Sequence, residues 1–269
     1  MLRYEVHGSG EPLVLVHGLT HRRQAWYPVL DRLVEHRRVF LIDLPGHGES
    51  SDLVITGGDV QGSLRRALTD FMDLVGLERP HIAGNSLGGR IALEAAADGL
   101  VRSATTLSPA AFWYGGLDFL YVRNAFRALT ASARVLRPVS PLLTRFGTTR
   151  HLLLSPIATH GERLPAAGVM NDMRGMRRAL PAMRTIFPAA EPFHRAIPAD
   201  IPVTIAWGAK DHILLPYQAR IAARRIPGAR HLWLPDCGHV PMADDPALVA
   251  RVLLEGSRPA GVTLPGAIA

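Results

Sequence analysis

One serine of this chain has the sequence surroundings of a nucleophile. Gly84, Ser86 and Gly88 spell G-x-S-x-G between a short apolar run and a helical pattern, the strand, turn and helix order that this motif requires. At such a corner the serine hydroxyl stands above a parallel sheet, and the free N–H groups of the next helix favour developing negative charge. The motif therefore predicts acyl transfer, which also needs a base, an acid and donors for an oxyanion.

Asp211 and His239 are the candidates for the acid and the base. Asp211 ends Gly208-Ala-Lys-Asp211 after one predicted strand, and His239 ends Pro235-Asp-Cys-Gly-His239 after the last. A histidine that takes the serine proton needs a carboxylate to orient its ring and to support its charge. The sequence therefore predicts that Ser86, Asp211 and His239 act together.

Several residues near these have other interpretations. Asp211 also fits the N-cap of the helix that follows it, and Asp236 is closer to His239 in sequence but is typical of a turn. We expect Cys237 to be a buried thiol rather than a nucleophile, because nothing basic is placed to lower its pKa. Ser108 ends a predicted strand, and we assign no chemistry to it.

Whether these residues, which are far apart in the sequence, lie close together in space depends on the strands and helices that carry them. Apolar runs typical of buried strands alternate with helical patterns, which predicts an α/β fold with a mostly parallel sheet and helices on both faces. Ligand sites in such sheets lie outside the carboxyl ends of the strands. His17-Gly18, Asp43, Ser86, Asp211 and His239 each follow a predicted strand. The predicted strands are 2–6, 13–16, 39–42, the first part of 80–97, 103–107, 203–207 and 231–234, and the predicted helices are 24–35, 59–75, the second part of 80–97, 217–225 and 246–255.

The regular alternation stops between Pro109 and Pro198, where prolines, aromatic residues and methionines are mixed with helical pieces. We expect residues 112–198 to form a helical cap, or lid, inserted into a core domain of residues 1–111 and 199–269. The Gly/Pro-rich tail from Ser257 is expected to be loose.

Composition excludes several classes of protein. One cysteine rules out an intrachain disulfide, and no apolar run approaches the ~20 residues of a membrane span. The N-terminal residues lack the apolar core of a signal peptide, so we expect a cytoplasmic protein that acts on a small molecule. No nucleic-acid module accompanies the basic composition, and no metal or cofactor is expected.

The net charge of +7 is unevenly distributed along the chain. Residues 112–195 hold twelve arginines against four acidic residues, a net of +8, so the remainder nets −1. These arginines are either a solvated face or a means of attracting a substrate carboxylate or an anionic lipid surface.

Taken together, the motifs resemble the α/β-hydrolase fold superfamily over nearly the whole chain. The resemblance implies that Ser86 is the nucleophile, that His239 is the general base and that Asp211 is its partner. It also implies that the backbone N–H groups of Leu19 and Leu87 form the oxyanion hole. Since only a few residues precede Gly8, the usual opening hairpin is expected to be shortened.

The implied activity is that of a cofactor-independent serine hydrolase acting on a small or medium carboxylic ester. Serine at position 86 argues against haloalkane dehalogenases and epoxide hydrolases, which use aspartate there. Three alternatives stay open: carbon–carbon bond hydrolysis of a vinylogous diketone, haloperoxidase-like activity, and a small-molecule receptor without turnover. The expected pocket-lining residues are His17, Gly18, Trp113, Ile213 and Val240.

Overall fold

A computed structural model describes residues 1–258 of the protein. The part of the predicted loose tail beyond Arg258 lies outside the described residues. The strands within residues 1–258 are β1 (Tyr4–His7), β2 (Pro12–Val16), β3 (Arg38–Ile42), β4 (His81–Asn85), β5 (Ser103–Leu107), β6 (Val203–Gly208) and β7 (Arg230–Leu234). They form one sheet in the order β1-β3-β2-β4-β5-β6-β7, in which β1 pairs antiparallel with β3 and the other neighbours pair parallel.

Strand β2 is buried on both faces because its residues from Leu13 to Val16 are apolar without interruption. Leu13 and Leu15 point into one hydrophobic cluster, and Val14 and Val16 point into the other. This alternation follows from the two-residue period of a strand, and it requires helices on both sides of the sheet. The predicted α/β architecture is therefore confirmed.

The helices of the described residues flank the sheet or lie between β5 and β6. They are α1 (Tyr27–Val34), α2 (Val60–Leu74), α3 (Leu87–Ala97), α4 (Gly116–Val135), α5 (Ser140–Leu143), α6 (Gly147–Leu154), α7 (Ala166–Arg178), α8 (Leu180–Ile186), α9 (Tyr217–Arg225), α10 (Pro241–Asp244) and α11 (Pro246–Gly256). Asp59 and Asp245 cap α2 and α11, accepting hydrogen bonds from the N–H groups of Gly62 and Leu248 at 2.8 and 2.9 Å. Such caps satisfy N–H groups that have no partner within the helix.

Helices α4 to α8 occupy the segment predicted to be a cap. Side chains of this segment, among them Phe126, Met183 and Phe193, are buried in the same hydrophobic cluster as Val14 and Val16 of the sheet. The segment therefore packs mainly against the cluster on one face of the sheet, and Ile157 contacts both clusters. The boundaries 112–198 stay a prediction.

Candidate active site

Ser86 lies at the turn between β4 and α3, at backbone angles that few serines adopt. Its φ is 55° and its ψ is −114°, a region in which a β-carbon is crowded. A β-carbon on Gly84 would strike the backbone of Gly88, and one on Gly88 would strike the carbonyl of Val16. Close packing therefore requires both glycines of the motif, and strain of this kind clusters at functional sites.

Hydrogen bonds hold the backbone of Ser86 on both sides. Its N–H donates to the carbonyl of Leu107 in β5 at 3.0 Å. Its carbonyl accepts from the N–H groups of Arg90 and Ala110, each at 3.0 Å. The serine is thus fixed to the central strands rather than carried on a mobile loop.

The side chains of Asp211 and His239 meet beyond the carboxyl ends of β6 and β7. His239 Nδ1 lies 2.8 Å from Asp211 Oδ2, and both side chains are buried. The other oxygen, Asp211 Oδ1, accepts from the N–H groups of Ile213 and Leu214 at 2.8 Å each. Because an ionised carboxylate only accepts, His239 Nδ1 carries the proton and Nε2 is left to act as a base.

The structure excludes the N-cap interpretation of Asp211 and agrees with the turn interpretation of Asp236. Asp211 is not a helix cap, because α9 begins at Tyr217 and Pro216 occupies its N-cap position. Asp236 is exposed and pairs with Lys210, and its Oδ2 lies 2.7 Å from His160 Nε2. The hydrogen bonds to Lys210 and His160 lower the pKa of Asp236 to about 2. It has the left-handed backbone, with φ 58°, that is typical of a turn residue.

Asn85 links the serine to the histidine, although no sequence argument marked it as a site residue. Its Nδ2 donates to the His239 carbonyl at 2.9 Å and to the Leu107 carbonyl at 3.0 Å. Since Asn85 directly precedes Ser86, this amide holds the backbone of His239 next to the serine corner. Within residues 1–258 the Ser86 hydroxyl makes no hydrogen bond to the His239 ring, and such bonds often tighten only when substrate binds.

The loop after β2 approaches the serine from the neighbouring strand. A β-carbon on Gly18 would lie 3.2 Å from Ser86 Cβ, so this close approach leaves little room for a larger residue. Among the described residues, the N–H groups of Leu19 and Leu87 donate to no protein acceptor. Within residues 1–258 these two N–H groups, one following Gly18 and one at the start of α3, are therefore free to donate to a bound ligand.

A cavity of about 1030 Å³ covers this part of the molecule. Gly18, Leu19, Ile213, His239 and Val240 line it, as does Asn85. The residues of α4, α6 and α7 that line it are mostly apolar: Tyr121, Ala125, Phe126, Ala128, Leu129, Ser132, Ala133, Leu153, Leu154, Gly168, Val169, Asn171, Asp172, Met173 and Met176. The helical segment between β5 and β6 therefore supplies an apolar wall to the cavity that His239 also lines, whereas Ser86, Leu87 and Asp211 are not among its lining residues.

His17 and Trp113 do not line this cavity, contrary to expectation. His17 is fully buried, with Nδ1 donating to the Gly18 carbonyl at 2.8 Å and Nε2 accepting from the Leu44 N–H at 3.0 Å. Burial lowers the pKa of His17 well below its ordinary value, so the ring is neutral and both nitrogens are engaged. Trp113 packs against Phe119 in the hydrophobic core, with ring centroids 5.3 Å apart.

His21 is a cavity residue that no motif identifies. Its Nδ1 has no hydrogen-bond partner within the described part of the chain, and burial lowers the pKa of the ring. The next residue, Arg22, pairs with Asp172 of α7 at 3.0 Å. This ion pair ties the loop after β2 to the helical segment above it.

The basic segment contributes little positive charge to the cavity wall. Of the twelve arginines in residues 112–195, all within the described chain, Arg163 alone lines the cavity. Its guanidinium donates to the Asp244 carbonyl at 2.6 Å. Most of the positive charge of this segment therefore faces away from the candidate site.

Other chemistries find less support in residues 1–258. They contain no group of three His, Cys, Asp or Glu side chains arranged to hold a metal ion. The thiol of Cys237 is buried, and burial raises its pKa to about 12, so it stays protonated. None of the helices up to Arg258 combines the length and the apolar character needed to cross a bilayer.

The sheet order and the serine corner have counterparts in a known family. The family model for the alpha/beta hydrolase fold matches residues 11–246. The chain belongs to the α/β-hydrolase fold family. The predicted fold and family resemblance are thereby confirmed, and the protein is a hydrolase of this family.

Proteins similar to this hydrolase are named for several different activities. It is 30% identical to a protein of Mycobacterium phage D29 named as a candidate non-heme haloperoxidase, over 91% of this chain and 87% of the relative. It is 29% identical to the dihydrolipoyllysine-residue acetyltransferase component of the acetoin cleaving system of Cupriavidus necator. That match covers 89% of the hydrolase but only 62% of the relative's length. Among solved structures, a candidate lipase of Acinetobacter baumannii superposes with a TM-score of 0.74 at 22% identity, covering 94% of this chain and 86% of that one.

Proposed function

We propose that this α/β hydrolase is a cofactor-independent serine hydrolase that cleaves a small or medium carboxylic ester through an acyl-enzyme on Ser86. The observation that carries the proposal is the buried pair of Asp211 and His239, joined at 2.8 Å, with His239 on the wall of the cavity. The strained corner at Ser86 and the Asn85 bond to the His239 backbone support it.

In the proposed reaction, His239 Nε2 takes the proton of the Ser86 hydroxyl as the serine oxygen attacks the ester carbonyl. The N–H groups of Leu19 and Leu87 stabilise the negative charge that develops on the carbonyl oxygen. Asp211 keeps the proton on His239 Nδ1 and supports the positively charged ring. The imidazolium then protonates the departing alcohol, and water, activated by the same histidine, releases the acid and restores the serine.

The lining of the cavity indicates the chemical class of the ester. Its volume of about 1030 Å³ is at the upper end of the range for small-molecule sites, and its wall from the proposed cap is mostly apolar. Burial of apolar groups there contributes about 0.8 kcal/mol for each CH₂ group removed from water. We therefore propose an uncharged substrate with an apolar acyl or alcohol part.

Replacement of Ser86 by alanine tests the nucleophile. We expect Ser86→Ala to lower kcat for a p-nitrophenyl ester by roughly four to six orders of magnitude, because the covalent step is lost. Ser108 provides a matched control, since it also ends a strand at positive φ, with φ 42°, and its hydroxyl accepts from the Gly208 N–H at 3.2 Å. Ser108→Ala should retain activity. Mass spectrometry after an organophosphonate should place the adduct on Ser86, and an adduct elsewhere would refute the assignment.

A substrate panel separates ester hydrolysis from the other activities of this fold. Short and medium aryl esters and a vinylogous diketone are offered to the wild-type protein at matched concentrations. Faster turnover of the diketone would identify a carbon–carbon bond hydrolase. Release of about one equivalent of product without further turnover would instead indicate a receptor.

A further inference from the structure

A long stretch of the chain contains arginine but no acidic residue. Between Asp118 and Glu162 there are six arginines and no aspartate or glutamate. The stretch comprises most of α4 and all of α5 and α6. A run of charges of one sign is usually a solvated face of the protein. Whether this run has a function therefore depends on the other side chains that are exposed beside it.

The part of this stretch that joins α4 to α6 exposes apolar and basic side chains together. We call residues 134–146 the cap tip. Four of its six large aliphatic or aromatic side chains are exposed: Val135 by 74%, Val139 by 47%, Leu142 by 61% and Phe146 by 54%. The three arginines of the tip are also exposed, and within residues 1–258 their side chains take part in no ion pair or hydrogen bond: Arg134, Arg137 and Arg145.

The cap tip adjoins the wall of the catalytic cavity. Leu136 lies within the tip and lines the cavity, as do Ser132 and Ala133 in the preceding turn of α4. A surface that contacted the tip would therefore lie beside one wall of the chamber.

The chemistry of the cap tip favours one occupant. Exposed arginines interspersed with apolar side chains are typical of segments that lie at the surface of an anionic bilayer. An acidic protein would satisfy the arginines but would not by itself explain the exposed Leu142 and Phe146. A second copy of this chain would bring the same positive charge, so electrostatic repulsion disfavours it.

We propose that the cap tip docks the hydrolase on anionic phospholipid. The arginine side chains contact headgroup phosphates, and the apolar side chains of Val135, Val139, Leu142 and Phe146 enter the boundary between headgroups and acyl chains. The arrangement needs no catalysis by Ser86. It would bring the protein to a surface that holds apolar substrates.

Vesicle sedimentation tests this docking. The wild-type protein should bind vesicles of mixed phosphatidylserine and phosphatidylcholine and should bind pure phosphatidylcholine vesicles much more weakly. Each basic side chain near such a surface contributes about fivefold in affinity. The affinity for phosphatidylserine vesicles should therefore fall roughly 100-fold in the triple variant Arg134→Gln/Arg137→Gln/Arg145→Gln.

A matched control removes the same net charge elsewhere. Arg32, Arg220 and Arg251 are exposed, lie on α1, α9 and α11, and make no ion pair within the described residues. The triple variant Arg32→Gln/Arg220→Gln/Arg251→Gln should bind phosphatidylserine vesicles nearly as wild type does. Equal weakening by the two triple variants would overturn the proposal, because the binding would then follow net charge alone.

A second variant examines the apolar part of the contact. Leu142→Ser/Phe146→Ser should weaken vesicle binding at least tenfold and leave binding to soluble polyglutamate unchanged. Absence of vesicle binding by the wild type, or full binding by this variant, would overturn the proposal. Hydrolysis of a soluble short ester should be unchanged in all these variants, so failure of the docking is distinguishable from failure of the proposed esterase activity.

Discussion

Replacement of Asp244 by alanine should destabilise the protein far more than replacement of Asp245, the next residue, by alanine. Asp244 is buried, and its two oxygens accept from backbone N–H groups on opposite sides: Oδ2 from Gly238 at 2.7 Å and Oδ1 from His160 at 2.8 Å. Asp244→Ala would leave the buried N–H of Gly238 and the half-buried N–H of His160 without a protein partner, at up to about 1–3 kcal/mol each. The free energy of unfolding should therefore fall by about 2–6 kcal/mol.

Asp245 is the matched control, because it lies next in the chain and also accepts backbone hydrogen bonds. Its Oδ1 accepts from the Leu248 N–H at 2.9 Å as the N-cap of α11. Asp245→Ala should cost about 1 kcal/mol, the usual effect of losing such a cap. Asp244→Asn keeps one acceptor and should fall between the two alanine variants.

Urea unfolding, followed by circular dichroism, measures these differences in the free energy of unfolding. Because Gly238 directly precedes His239, folded Asp244→Asn should also show a lower kcat for a soluble ester with little change in KM. If Asp244→Ala were no more destabilising than Asp245→Ala, the two hydrogen bonds of Asp244 would not contribute to the free energy of unfolding as proposed.

Three further predictions concern charge and protonation. Asp211→Asn should lower kcat by ~10²–10⁴ with unchanged circular dichroism, whereas Asp236→Asn should stay active; the reverse pattern would make Asp236 the acid. Burial holds the pKa of His47 at about 4, against an ordinary value of 6.5, so the unfolded chain binds a proton between these pH values and the folded protein does not. The free energy of unfolding should therefore fall by about 3 kcal/mol from pH 6.5 to pH 4, and His17, whose pKa is also lowered, should add to this fall. A urea midpoint that does not change with pH would contradict this prediction. So would a His47→Asn variant whose stability depends on pH as steeply as that of the wild type. Finally, a hemisuccinate ester should have no higher kcat/KM than a neutral ester of equal length, and kcat/KM should depend on salt in the same way for both, since Arg163 is already bonded to the Asp244 carbonyl. A higher kcat/KM for the hemisuccinate ester that falls with added salt would show that the arginines steer substrate.

The sheet and its helices were predictable because their signals are local. Strand β5 and helix α9 have the bounds of the predicted strand 103–107 and the predicted helix 217–225. The pairing of Asp211 with His239 also follows from local signals, since both residues end strands that a parallel sheet brings side by side. Agreement is therefore best where the period of the side chains and the direction of the strands decide the result.

Contacts made across the fold leave little trace in the sequence. The single-turn helix α10 lies in a stretch without helical periodicity, and the role of Asp244 depends on two backbone donors, one of them 84 residues away. Asn85 was visible only as part of the serine motif, because its acceptor on His239 lies 154 residues later. His17 follows a strand as expected, yet its hydrogen bonds turn it inward, and no spacing rule predicts that orientation.

The attachment of residues 157–163 to the histidine loop limits how the helical segment can be exchanged. The Val240 N–H donates to the Ile157 carbonyl at 2.8 Å, and His160 and Arg163 both bond to Asp244. An engineer who transplanted the helices of another α/β hydrolase to alter substrate choice would remove contacts that hold the backbone around His239. A chimera would keep its catalytic geometry if the junction retained residues 157–163 and replaced the helices before them.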